Sequence, residues 1–124
     1  MAKTYYLPSH EYITVEGDEG RVGISEYAAS QLGAVTYVDM PAEGDTFDAG
    51  EDFGAIESRK AASDLSMPVA GEIIAVNEDL ENDPRLINND PANAWIVKIR
   101  ISDPSELDKL MDADAYRMYL TTLH

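Results

Sequence analysis

Apolar and charged residues alternate through positions 95–101: Trp95, Val97, Ile99 and Ile101 fall on one side, Lys98 and Arg100 on the other. A period of two marks a strand with one buried face. Shorter segments rich in β-branched, aromatic and aliphatic residues predict further strands at 21–25, 35–40, 52–58, 61–67 and 71–77. Helices interrupt this pattern in few places. Ser25 is a natural N-cap, and Gly33 suits the left-handed position beyond a helix C-terminus, so the residues between them predict a short helix. Positions 78–82 allow one helical turn, stopped by Pro84. Asp103-Pro-Ser-Glu106 predicts a further helix, with Asp as cap, Pro at the first helical position and Glu three residues after the cap. Leu107, Leu110 and Met111 supply its apolar stripe, and Asp112-Ala-Asp-Ala-Tyr116 opens a second, Tyr-rich helix. The expected chain is mainly β, with one helix in its N-terminal half and helices at its C-terminus.

An internal echo organises these elements. Pro41-Ala-Glu-Gly44-Asp45 recurs as Pro68-Val-Ala-Gly71-Glu72, each reading as a turn followed by a strand. Between the copies, Glu57-Ser-Arg-Lys60-Ala-Ala-Ser reads as a tight hairpin displaying a lysine. Two copies related by an approximate two-fold axis predict a barrel-sandwich hybrid, a flattened barrel of two interleaved β halves with Lys60 at a hairpin tip. The whole of 1–124 is expected to form one domain, with this core at about 20–101 and a helical segment at about 103–124.

Composition narrows the function. There is no cysteine, which excludes disulfides, thiolate metal sites and a cysteine nucleophile. With 24 acidic against 9 basic residues, the net charge is −15. Such a surface repels phosphate backbones and anionic lipid, so neither nucleic acid nor membrane is an expected partner. No apolar run approaches the ~18 residues of a membrane span. The N-terminus lacks the apolar core of a signal peptide and the arginines of a transit segment, so the expected location is the cytoplasm, or the mitochondrial matrix if a leader has been removed. The run Glu16-Gly-Asp-Glu-Gly20 lacks the spaced ligands of a calcium loop and reads as an acidic hairpin turn. Tyr12, Tyr27, Tyr37 and Trp95 are expected in the core or in a cleft wall.

These residues together resemble the H protein of the glycine cleavage system. Glu-Ser-x-Lys-Ala-x-Ser-Asp followed by Pro-Val-x-Gly-Glu is a specific signature. The likeness extends over Ser9-His-Glu-Tyr12, Gly23-Ile-Ser-Glu-Tyr-Ala28, Val35-Thr-Tyr-Val-Asp39, Leu86-Ile-Asn88, Trp95 to Ile101 and the closing helices. It implies a non-catalytic carrier with lipoate attached to Lys60 as an amide. The other lysines, Lys3, Lys98 and Lys109, lack the hairpin setting. In such a cycle a pyridoxal-phosphate glycine decarboxylase (P protein) loads an aminomethyl group, and a tetrahydrofolate-dependent aminomethyltransferase (T protein) removes the methylene. Dihydrolipoamide dehydrogenase (L protein) then reoxidises the dithiol. A lipoate ligase or lipoyl/octanoyl transferase would install the group, with Glu57 and Gly44 at positions associated with its recognition.

Ser9, His10, Glu11 and Asp64 match family positions bordering a cleft for the loaded arm. An amine held there would be shielded from hydrolysis, with carboxylates binding the ammonium. Two departures stand out. Arg59 replaces the usual aliphatic residue before the lysine, and Asp90-Pro-Ala-Asn-Ala-Trp95 lacks the usual glycine before Trp. Both leave open an H-like lipoyl relay outside glycine cleavage. A biotinyl carrier would normally have Met on both sides of the lysine. A lipoyl domain of a 2-oxoacid dehydrogenase would be shorter and linked to a larger enzyme. An acid–base enzyme using His10, Glu11 and Asp64 lacks a specifying spacing, and an unmodified interaction module would leave Lys60 bare.

Overall fold

The computed structural model describes residues 2–123. Its strands are β1 (Lys3–Tyr6), β2 (Glu11–Glu16), β3 (Glu19–Ile24), β4 (Val35–Asp39), β5 (Thr46–Phe47), β6 (Asp52–Ser58), β7 (Ala62–Ser66), β8 (Gly71–Val76), β9 (Val97–Ile101) and β10 (Met111–Asp112). The helices are α1 (Glu26–Leu32), α2 (Asp79–Asn82), α3 (Leu86–Asn89) and α4 (Ala113–Leu120). A 3-10 helix, Pro104–Lys109, precedes β10.

The strands form two antiparallel sheets. The larger runs β10-β1-β2-β3-β9-β8-β5, the smaller β4-β6-β7. Ile13, Val22, Ile73, Val97 and Ile99 from the large sheet share one core with Val35, Val38, Phe53, Ile56 and Leu65 from the small one. The arrangement is barrel-sandwich-like, but the sheets stay open, and among the described residues no strand pair joins them. The echoed turns explain the opening. The chain passes from small sheet to large twice, from β4 to β5 through Pro41 and from β7 to β8 through Pro68. Proline offers no N–H to a ladder, so each crossing interrupts the strand instead of bending it continuously around a barrel. The segments after the two crossings then run antiparallel side by side. Thr46 pairs with Glu72 and Phe47 with Gly71, while the Gly44 N–H donates to the Ile73 carbonyl and the Ile73 N–H to Asp45. That is the relation an approximate dyad requires.

Some expected elements take a different form. Val97, Ile99 and Ile101 are buried as the alternation demands, but the phase breaks upstream: Trp95 is half-buried and Ile96 fully buried. The turn before Trp95 closes without glycine, because the Ala94 N–H donates to the Asp90 carbonyl at 2.9 Å and the Asn93 amide donates to the Asp90 carboxylate. The helix expected from Asp103 is a short 3-10 segment. Asp103 caps it by accepting from the Ser105 N–H, whereas Glu106 reaches away to accept from the Ala70 N–H at 2.9 Å. With Glu106 drawn to the core turn, the capping box cannot close. Met111 leaves the helical stripe to pair with Tyr6 in β10. Tyr37 is 54% exposed on the small sheet, outside the core and not among the residues lining the cleft described below. Strands β1 and β2 lie outside the strands expected from patterning, since Thr14 and Thr4 blur the alternation; their hydroxyls bond across the pair at 2.9 Å.

One close approach fixes how β4 lies on β6. A Cβ on Gly54 would sit 2.2 Å from the carbonyl oxygen of Asp39. Gly54→Ala is expected to cost about 2–3 kcal/mol, since backbone must move to admit it. Urea unfolding would read this as a lowered midpoint.

Candidate functional site

The hairpin between β6 and β7 has only Arg59 and Lys60 between Ser58 and Ala61. The Ser58 N–H donates to the Ala61 carbonyl at 2.8 Å, and the Ser58 side-chain oxygen accepts from the Ala61 N–H at 3.2 Å. A serine that closes its own turn in this way leaves both tip residues exposed. The Arg59 N–H is tied to the Ala34 carbonyl, which anchors the tip to the segment joining α1 and β4. That segment contains Gly33, at φ 73°, beyond the C-terminus of α1. The Lys60 stem lies across this glycine: a Cβ there would come 3.3 Å from Lys60 Cε.

Beside the hairpin is a cleft of about 160 Å3. Ile24, Ala28, Leu32, Ile56 and Leu65 supply its apolar walls, and Ser9, His10, Glu11 and Asp64 its polar groups. Four of the predicted positions are therefore brought together, although they come from two sheets. Tyr27 joins them as cleft wall. Helix α1 carries Tyr27, Ala28 and Leu32 into place because Ser25 caps it, accepting from the Ala28 N–H at 3.2 Å. The remaining pair lies outside the cleft. Glu57 is exposed on β6, opposite Ala62 and one residue before the turn. Gly44, at φ 93°, belongs to the first crossover and bonds to β8, so it does not touch the hairpin through its backbone bonds.

Glu11 is the buried charge of the site, 2% exposed. One carboxylate oxygen accepts from the Ser66 N–H at 2.7 Å, and the other accepts from the Ser9 hydroxyl. Burial pushes its pKa above the usual carboxylate range; the two hydrogen bonds oppose that shift without cancelling it. Glu11 thus joins β2 of the large sheet to the free edge of β7 in the small one. Asp64, by contrast, is exposed at the rim. The pair offers one deep and one shallow carboxylate, an arrangement suited to a cationic group entering from the hairpin side.

His10 stands at φ 81°, uncommon for a residue with a side chain. Its backbone is held at both ends: its N–H donates to the Leu7 carbonyl, and its carbonyl accepts from the Ser25 N–H. Its ring packs on Tyr27 at 4.7 Å between centroids, and its Nδ1 lies 2.7 Å from the Tyr116 hydroxyl. Contributors without a sequence motif are the Ser66 amide, the Gly33 gap and Tyr116, which comes from the far end of the chain. Among the described residues no cluster of His, Asp or Glu could hold a metal ion.

Known proteins resemble this chain over nearly its whole length. The model of the family described as Glycine cleavage H-protein matches residues 4–123. The glycine cleavage system H protein of Beijerinckia indica is 47% identical over 124 residues, covering 99% of this chain and 100% of that one. Its counterpart in Bacteroides thetaiotaomicron is 49% identical over 113 residues, covering 90% of each. The crystal structure of a glycine cleavage system H protein from Mycobacterium marinum superposes with a TM-score of 0.87 at 33% identity, covering 98% of both chains.

Proposed function

The chain belongs to the glycine cleavage H-protein family, and from that premise we propose that it carries lipoate on Lys60 and shuttles an aminomethyl unit among the enzymes of that system. The observation that carries this reading is the cleft beside the hairpin, with the Lys60 stem already laid against the end of the helix that walls it. Lipoate fits these residues. An exposed primary amine at a two-residue tip is open to a modifying enzyme, and acylation there replaces a charge with an amide without disturbing packing. Ser66, whose amide Glu11 binds, is six residues beyond Lys60, at the end of β7. At ~3.4 Å per residue this is about 20 Å along the strand, the greater part of which a lysine extended by an octanoyl-derived group covers.

When bound, the lipoyl group supplies a disulfide that opens to take up the transferred unit and closes on reoxidation. The chain itself contributes no catalytic chemistry in this reading. Glu11 and Asp64 bind the amine of the charged arm, Ser9 holds the Glu11 carboxylate in place, and the walls of Ile24, Leu32, Ile56 and Leu65 exclude the water that would hydrolyse it. Glu57, one strand position from the turn, and Gly44, in the first crossover, serve recognition by a lipoate ligase or lipoyl/octanoyl transferase. The glycine cleavage enzymes are its partners: glycine decarboxylase loads the arm, the aminomethyltransferase unloads it, and dihydrolipoamide dehydrogenase restores it. The shuttle works in the cytoplasm. Arg59 adds a guanidinium beside the attachment point, where each partner must approach.

The test is intact mass with peptide mapping after treatment with an active lipoylating enzyme. One acyl group is expected on Lys60, and none on Lys3, Lys98 or Lys109. A bare Lys60, with a control H protein modified in the same reaction, would reject the carrier reading.

A further inference from the structure

Helix α4 lies behind the cleft and reaches its lining residue His10 through a chain of hydrogen bonds that the carrier reading does not use. Ser25 is buried, and its Oγ accepts from the Ala28 N–H. The same Oγ lies 2.7 Å from the Tyr116 hydroxyl, which lies 2.7 Å from His10 Nδ1. Two directions of donation fit these distances. If His10 donated to Tyr116 and Tyr116 to Ser25, the buried Ser25 hydroxyl proton would have no acceptor among the described hydrogen bonds. If Ser25 donates to Tyr116 and Tyr116 to His10 Nδ1, both hydroxyl protons are placed, and the remaining proton sits on Nε2, which is not a buried atom lacking a partner. The second direction makes His10 neutral, with its proton on Nε2. Stacking reinforces the contact: Tyr116 lies flat on Tyr6 at 4.2 Å between centroids, and the Tyr119 ring lies 6.3 Å from that of His10.

The charge state of this imidazole matters because His10 adjoins Glu11 and shares its cleft. An imidazolium there would compete with an amine for the carboxylates of Glu11 and Asp64 and would repel it directly. We propose that Tyr116 is a positioning residue of the arm cleft: its hydroxyl, supplied by Ser25, holds His10 as the neutral Nε2–H tautomer and so reserves Glu11 and Asp64 for the amine of the charged arm. This deepens the carrier reading and rests on it. The groups facing His10 are Glu11 beside it in the chain, Tyr27 from α1, Asp64 from β7, and Tyr116 and Tyr119 from α4. Protonation at Nδ1 requires the Tyr116 bond to reverse, which leaves the buried Ser25 hydroxyl proton without an acceptor among the described hydrogen bonds. Burial also holds the His10 pKa below its ordinary value, so the ring is neutral near physiological pH and charges only as pH falls.

The test uses Tyr116→Phe, which keeps the Tyr6 stack and removes only the hydroxyl. Ring 15N spectra of the unmodified wild type should show His10 as the Nε2–H tautomer; in Tyr116→Phe the tautomers should mix and the ring should titrate at higher pH. On lipoylated, aminomethyl-charged protein, formaldehyde release should be roughly fivefold faster in the variant near pH 6, the weight of one hydrogen bond, and should converge with wild type by about pH 8.5. A wild-type Nδ1–H tautomer, an unchanged titration, or a release rate raised equally at all pH values would overturn the proposal. Failure of Lys60 to accept lipoate would instead overturn the carrier reading, and the spectra of the unmodified protein keep the two failures apart.

Discussion

Lys60→Arg is expected to abolish lipoylation and glycine-dependent CO₂ exchange completely, while shifting the melting temperature by no more than about 2 °C. Arginine keeps the positive charge and much of the stem, so the substitution separates amine chemistry from surface electrostatics. A guanidinium is too weak a nucleophile at neutral pH to be acylated in place of the lysine amine. The fold should not register the change, because the tip residues are exposed and the turn is closed by Ser58 and Ala61. Intact mass and the exchange assay, each beside a thermal melt, check this result. Exchange by a folded Lys60→Arg protein would end the swinging-arm account.

The second large effect is expected at Glu11. Glu11→Gln should leave stability within about 1 kcal/mol of wild type, or raise it, because a buried charge is replaced by an amide that can satisfy the same partners. Its oxygen can accept from the Ser66 N–H while its NH₂ group donates to the Ser9 oxygen. The same change should speed formaldehyde loss from the charged arm by about tenfold or more, the weight of one charge-assisted hydrogen bond. Glu11→Ala would confuse the two effects by leaving the Ser66 N–H without its acceptor. The pH dependence has a definite sign. Burial raises the folded-state pKa of Glu11, so in the window between its ordinary and raised values the folded chain holds more protons than the unfolded one. Its contribution to stability therefore falls as pH rises through that window. Denaturant titrations at several pH values should show Glu11→Gln gaining on wild type in that direction. A variant that protects the charged arm as well as wild type does would remove Glu11 from the amine's binding site.

The parts of this molecule legible in its sequence are those governed by local chemistry. Ser25 caps α1, Gly33 ends it, and Val97, Ile99 and Ile101 alternate into the core because each depends on a few neighbouring residues. The hairpin and its lysine were legible for the same reason, helped by the echoed turns. Contacts between distant segments were not. Glu106 looks like the far half of a capping box until Ala70, from another part of the chain, takes its carboxylate. Trp95 follows the period of its strand, but the preceding turn shifts the phase so that Ile96 is the buried residue. The cleft lies between these cases. Family likeness marked Ser9, His10, Glu11 and Asp64, yet the Ser66 bond and the reach of Tyr116 emerge only when two sheets and the last helix meet.

Gly33 joins two demands that are usually met by different residues. Its backbone takes a conformation that side chains resist, and the Lys60 stem passes so close that an added Cβ would press on its Cε at 3.3 Å. Tolerance at this position is therefore narrower than either demand alone would set. An asparagine, often accepted in the left-handed position after a helix, meets both obstacles, because ψ of −158° lies outside that left-handed region and its side chain would push against the stem. A designer transplanting this hairpin onto another scaffold, to carry a different cargo, would have to bring along the notch as well as the lysine.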